Sequence, residues 1–286
     1  MKFPKRHRNE RGEMPFLDHL EELRWRILWT LLAIIAGTAV GFGLVVYYDA
    51  LELLMRPVRR AWEDPSLQLI YLSPADPFFV MIRLAIYIGI IVAFPILVYN
   101  IWAFLSPALD KREKRAILPA LYLGLVLFIA GVALAYFAAL PMTLRFFQGF
   151  MTESLEGQLE INYTLGFVVK LLFAFGAVFE LPIVIVILSA MGLVTPEFLR
   201  EKRRHAIVAI TVLASFITPG DAITLTFMMM LPLVLLYELG IFMSAAIYRG
   251  RRKREAELEE EYRKKYEPSE EPPVGAVERK DSSEEQ

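Results

Sequence analysis

Apolar and polar positions are sorted into long blocks along this chain rather than alternated. Uninterrupted or nearly uninterrupted apolar runs occupy residues 27–48, 78–104, 116–144, 165–194, 206–218 and 222–248, with charged knots between them. Runs of this length exceed ordinary strands, and about 20 apolar residues in a helix span the roughly 30 Å hydrocarbon layer. The pattern predicts an all-α integral membrane protein with six transmembrane helices. The fifth run has 13 residues and reaches only about 20 Å as a helix. Glu238 inside the sixth run suggests that its apolar length overstates the true crossing. The fifth and sixth spans are therefore expected to form a short hairpin around the TPGD turn at 218–221, with the bilayer thinned or protein shielding it.

Local signals refine this outline. Phe16, Leu20 and Leu23 form one stripe at helical spacing, predicting a short interfacial helix that leads into the first span. No cleavage pattern follows that span, so it is expected to persist rather than act as a signal peptide. Residues 49–77 are divided by Pro57, Pro65, Pro74 and Pro77 and read as a structured cap on the outer surface. Pro95 should bend the second span, while Pro119 is expected in the first turn of the third, where a missing N–H costs little. Thr195 and Pro196 are suited to opening a helix. The fourth span carries Lys170 and Glu180, followed by Pro182. Glu180 lies about 22 Å along the helix from Leu165, well inside the membrane, where a carboxylate must face other helices or a hollow. The expected division is a cytoplasmic segment at 1–22, a membrane domain at 23–248 and a cytoplasmic tail at 249–286. That tail is largely disordered apart from the helical pattern AELEEEYRKKY.

Composition agrees with a membrane class: 56% of residues are hydrophobic, 13% are aromatic, and the mean hydropathy is +0.44. The net charge of −1 hides a strong asymmetry. Near the span ends, one side carries 18 Lys and Arg and the other 4, which places both termini in the cytoplasm. With no cysteine there is no disulfide or thiolate site, and the three histidines form no metal-ligand spacing. The phosphate-loop, zinc-protease and serine-hydrolase signatures are absent. No catalytic residue, metal or cofactor is therefore assigned.

The remaining candidate chemistry lies in acids set among bases on the inner surface. Glu22 is near Arg24 and Arg26, and Glu113 sits among Lys111, Arg112, Lys114 and Arg115. One reading is ordinary pairing along a helix surface. The other is an acceptor for guanidinium groups, which bind carboxylates through paired, directional hydrogen bonds.

Several segments together resemble the TatC family, the multispanning subunit of the twin-arginine protein translocase. They are HLEELRWR (19–26), FPILVYNIWAFLSPALDKREKR (94–115), FAFGAVFELP (173–182), LVTPEFLREKRR (193–204), FITPGD (216–221) and LPLVLLYELGIF (231–242). The resemblance implies six spans with a concave groove in the bacterial plasma (inner) membrane. It also implies recognition of twin-arginine signal peptides on folded precursors, export driven by the proton-motive force, and no enzymatic step. Implied partners are small single-span TatA- and TatB-type subunits, further copies of the chain and membrane lipids, but not nucleic acid. By motif, Glu22, Arg24, Phe104, Glu113 and Arg115 would bind the signal peptide. Glu180 would be the intramembrane polar site, and Pro57 and Asp221 structural or assembly positions. A proton- or solute-coupled secondary transporter and a noncatalytic membrane scaffold are the alternatives.

Overall fold

A computed structural model describes residues 16–62, 68–106, 111–149, 158–217 and 224–266. The described chain is almost wholly helical: α1 (Phe16–Tyr48), α2 (Ala50–Trp62), α3 (Asp76–Leu105), α4 (Lys111–Leu134), α5 (Leu140–Gly149), α6 (Ile161–Phe179), α7 (Leu181–Ala190), α8 (Pro196–Glu201), α9 (Arg203–Ile217) and α10 (Thr224–Tyr266). Among the described residues, five stretches are long and apolar enough to cross a membrane: Leu17–Tyr48, Asp76–Leu105, Ile117–Gly149, Ile161–Ala190 and Met229–Gly250. The 15-residue α9 reaches about 22 Å and is the short member of the last pair. Met229–Gly250 has 22 residues, enough for a full crossing, so the hairpin is asymmetric.

Three boundaries differ from the sequence reading. The predicted interfacial helix and the first span are one helix, α1. No glycine or proline interrupts residues 16–36, and Glu22 pairs with Arg26 across the expected junction, which favours continuation. The basic knot is already helical from Lys111, because Lys, Arg and Glu are good helix formers. Pro119 therefore lies beyond the first turn of α4. The third span also continues to Gly149 through a π-helical turn, Ala135–Ala139, in which the Leu140 N–H bonds to the Ala135 carbonyl. The wider turn immediately precedes Pro141, whose ring a regular α-turn would crowd.

The long α1 and α3 pack along each other through small residues. A Cβ built at Gly37 would lie 2.6 Å from the Gly89 carbonyl oxygen, and one at Gly89 would lie 2.5 Å from the Thr38 backbone nitrogen. Only glycine permits this backbone approach, the usual basis of close helix packing in lipid. Polar bonds add to the seam toward the start of α1: Asn100 donates to Thr30 at 3.0 Å, and Arg26 donates to the Ala103 carbonyl at 3.0 Å. α3 reaches the second group of helices through stacked Phe94 and Phe128, with ring centres 3.6 Å apart, and through Tyr87 beside Phe173. In that group α4 packs on α6 and α7, and α7 on α10. Its core includes buried Leu165, Val168, Phe175, Leu233 and Ile241. Ser189 and Ser244 share a buried hydrogen bond of 2.7 Å between α7 and α10.

At the ends of the helices away from Glu22, α2 packs on α5, and Met55, Pro57, Val58 and Ala61 of α2 are buried. Ile70 pairs with Glu160 in a short parallel bridge that ties the segment before α3 to the segment before α6. Glu160 also caps α6, accepting the Tyr163 N–H at 2.7 Å and the Asn162 amide at 2.9 Å. Burial alone would push its carboxyl up, but these hydrogen bonds outweigh burial and hold it below its ordinary range. Arg83, the one charge of the second span, donates to Asn162 at 3.2 Å.

At the opposite ends, Gly192 closes α7 with φ of 75°, a left-handed conformation in which glycine carries no Cβ penalty. The Thr195 side chain then accepts the Phe198 N–H at 3.2 Å to open α8. Arg203 and Glu238 pair at 2.7 Å, joining the start of α9 to α10. The Tyr237 hydroxyl donates to the Leu199 carbonyl at 2.8 Å. Glu238 is thus an anchor for the short helix.

Candidate functional site

Two separate places hold the polar residues singled out by sequence. The first is where the start of α1 meets the end of α3. Glu22 and Arg26 are four residues apart on α1 and form an ion pair, and Arg26 reaches across to the Ala103 carbonyl. Their side chains are only 16% and 19% exposed. The pair is neither the solvated helix face that spacing alone suggested nor an isolated buried charge. One guanidinium orients the Glu22 carboxylate and ties it to α3 at the same time. Charge-assisted bonds of this kind are stronger than neutral ones, and partial burial protects them from screening.

One helical turn before Glu22, on its N-terminal side, His19 stacks on Phe104 of α3, with ring centres 4.2 Å apart and planes at 13°. Glu22 and Phe104, 82 positions apart, thus belong to one surface. Arg24 is exposed, and its position two residues from Glu22 turns it away from the Glu22–Arg26 stripe. Glu113 and Arg115 lie in the first turns of α4, but their side chains lie outside the described residues. Sequence reasoning gave Arg26 only the part of a neighbour of Glu22 on a helix surface, and gave His19 no role in this surface. The four-residue spacing of Glu22 and Arg26 was a usable signal for the first, whereas nothing in the sequence announces the His19–Phe104 stack.

The second place is the junction of α6 and α7 in the middle of the fourth span. Glu180 terminates α6 and precedes α7, with Pro182 at the second position of the new helix. The proline cannot donate to the carbonyl four residues earlier, so the regular hydrogen-bond ladder stops here. The Glu180 carboxylate turns toward α4 and occupies the space left by Gly124. A Cβ there would lie 2.8 Å from Oε2. Oε1 is buried with no hydrogen-bond partner, and no cation pairs with Glu180 among the described residues. A buried carboxylate of this kind is costly in hydrocarbon. Lys170, on the same span, is exposed.

Pro57 is buried within α2, and Asp221 lies outside the described residues. Among the described residues, no group of three or more His, Asp or Glu could hold a metal ion.

Comparisons with known proteins agree with the helical membrane fold. The family profile described as Sec-independent protein translocase protein (TatC) matches residues 18–232. A protein named Sec-independent protein translocase protein TatC from Aquifex aeolicus (strain VF5) is 38% identical over 232 residues, covering 80% of this chain and 94% of its own length. The protein of the same name from Escherichia coli (strain K12) is 36% identical over 232 residues, covering 80% and 88%. A crystal structure of the twin arginine translocase receptor TatC superposes with a TM-score of 0.65 at 37% identity, covering 80% of this chain and 99% of that one. A second crystal structure of that receptor, in DDM, gives 0.66 at 37% identity, covering 79% and 99%.

Proposed function

The chain belongs to the TatC family of Sec-independent protein translocase proteins, and from this premise we infer that it is the receptor for twin-arginine signal peptides and a core subunit of their translocase. It is a multi-pass membrane protein. The charge asymmetry supports cytoplasmic termini in a bacterial inner membrane. Folded precursors dock by their signal peptides, single-span TatA- and TatB-type subunits assemble around the receptor, and the proton-motive force drives passage. The work is recognition and assembly, and no bond-making step is assigned to any residue.

The observation that carries the recognition site is that Glu22 already binds a guanidinium, that of Arg26, in a largely sheltered position. A signal arginine offers the same planar fork and can take up or share that bond. Phe104, held flat against His19, supplies an adjacent aromatic face. Glu113, with Arg24 and Arg115, completes the reading as the second acidic acceptor and its basic surroundings. The apolar part of the signal then lies along the helices toward Glu180. Pro57 and Asp221 serve the outer framework.

The test is binding of a twin-arginine signal peptide to the detergent-purified full chain, with a twin-lysine peptide as control. Glu22→Ala and Glu113→Ala should each weaken the arginine peptide at least about tenfold, corresponding to about 1.4 kcal/mol, with little effect on the lysine peptide. Equal binding of both peptides, unchanged in correctly folded variants, overturns the assignment.

A further inference from the structure

A cleft of about 160 Å³ opens between α8 and the inner end of α10. It is lined by buried Pro196 and Ala245, by Tyr248 and Glu197, and by three arginines, Arg200, Arg249 and Arg252. The spacing explains the convergence. Ala245, Tyr248, Arg249 and Arg252 fall on one stripe of α10, and Pro196 and Arg200 fall on one stripe of α8.

Three features give the cleft a ligand chemistry. First, none of its arginines is ion-paired among the described residues, although neighbouring Lys202 and Arg203 are paired with Glu201 and Glu238. Glu197 lines the same space without pairing to any of them, so the cleft keeps a surplus of two positive charges. Secondly, arginine forks match phosphate oxygens in paired hydrogen bonds. The volume exceeds the roughly 30 Å³ share of a single water several-fold. Thirdly, the apolar run of α10 ends at Tyr248. This places Tyr248, Arg249 and Arg252 at the depth of lipid headgroups, where tyrosine and arginine are both favoured.

We propose that this cleft binds the phosphate of an anionic lipid headgroup. The bound phosphate bridges α8 to α10 beside the short α9 and fixes the inner rim of the protein against the bilayer surface. A net positive cleft selects a headgroup of net negative charge over a zwitterionic one, in which the choline cation offsets the phosphate.

The experiment uses the full chain purified in neutral detergent. Binding and thermal stabilisation are titrated with short-chain phosphatidylglycerol, with short-chain phosphatidylcholine and with inorganic phosphate. Phosphatidylglycerol should bind saturably and at least tenfold more tightly than phosphatidylcholine. The Arg200→Gln, Arg249→Gln double variant should lose at least tenfold of that affinity, while Arg59→Gln, at the outer surface, should keep it. Arg252→Gln alone, at an exposed side chain, should lose several-fold and stands in if the double variant melts early. Inorganic phosphate that competes at equal concentration would make soluble phosphate, not lipid, the source of the ligand at the same cleft. Equal affinity for the two lipids, or full phosphatidylglycerol affinity in folded variants, overturns the proposal.

Discussion

The hydroxyl of Tyr136 donates to the backbone carbonyl of Leu53, the one acceptor in α2 that Pro57 leaves without an amide donor four residues on. A proline in the middle of a 13-residue helix breaks one rung of the ladder, and a side chain from the π-helical turn replaces it. Tyr136→Phe should therefore cost about 0.5–1.5 kcal/mol of stability, the net worth of one hydrogen bond. If Pro57→Ala restores the helical N–H, the same tyrosine change should be nearly neutral in that background. A double-mutant cycle by thermal or denaturant melting measures the coupling, and a coupling near zero would separate the two residues.

The α1–α3 seam gives a prediction with an internal control. Gly37→Ala or Gly89→Ala forces a methyl group against backbone atoms at 2.6 or 2.5 Å, so the helices must part. The expected loss is about 1–3 kcal/mol, as for other overpacked sites. Gly43→Ala, on the same helix as Gly37 with nothing within 4 Å of the new methyl, should be tolerated. Melting of the three variants in one detergent decides it, and equal behaviour would remove close packing as the reason for the glycines.

Gly124→Ala should expel the Glu180 carboxylate from its niche. The added carbon lies 2.8 Å from Oε2 and 2.9 Å from Ile183 Cγ1. Stability should fall by at least about 1 kcal/mol, and export of a twin-arginine reporter should fall with it. Combining Gly124→Ala with Glu180→Ala should recover part of the stability but not the export. A single variant that melts and exports normally would show that the niche is not needed.

Glu160 supplies an acid-sensitive cap. Its carboxyl sits below the ordinary value of 4.5, so its stabilising contribution is present above that value and is lost as pH falls through the lower folded value. Amide exchange at Tyr163 and Thr164 should accelerate as pH drops below about 4.5, beyond the intrinsic trend for exchange. Glu160→Gln should flatten this extra dependence, and an unchanged profile in that variant would assign it elsewhere.

The membrane helices were legible because their apolar runs are long and the charges fall between them. Their ends were less legible, because local helix propensity does not stop where hydrophobicity does. The junction before Ile27 and the knot at Lys111 are both composed of good helix formers, and both proved continuous with the adjoining span. Glu180 was readable from its burial depth and from Pro182 beside it. Its niche was not, since Gly124 lies 56 positions away and a glycine in a membrane helix has many uses. Likewise, Glu22 could be singled out in sequence, but His19 against Phe104 depends on α1 and α3 running side by side.

α10 continues without interruption from the sixth span to Tyr266. From Gly250 to Tyr266 the helix advances about 24 Å at 1.5 Å per residue. An upright rod of that length carries its far end about three screening lengths from the lipid surface at physiological salt, each being about 8 Å. The acidic run Glu259, Glu260 and Glu261 begins about 10 Å beyond Arg252, little more than one screening length, so it offsets part of the positive potential at Arg252, while Arg249, about 15 Å away, is offset less. One stiff helix fixes the spacing between two patches of opposite sign and so sets how far each screens the other.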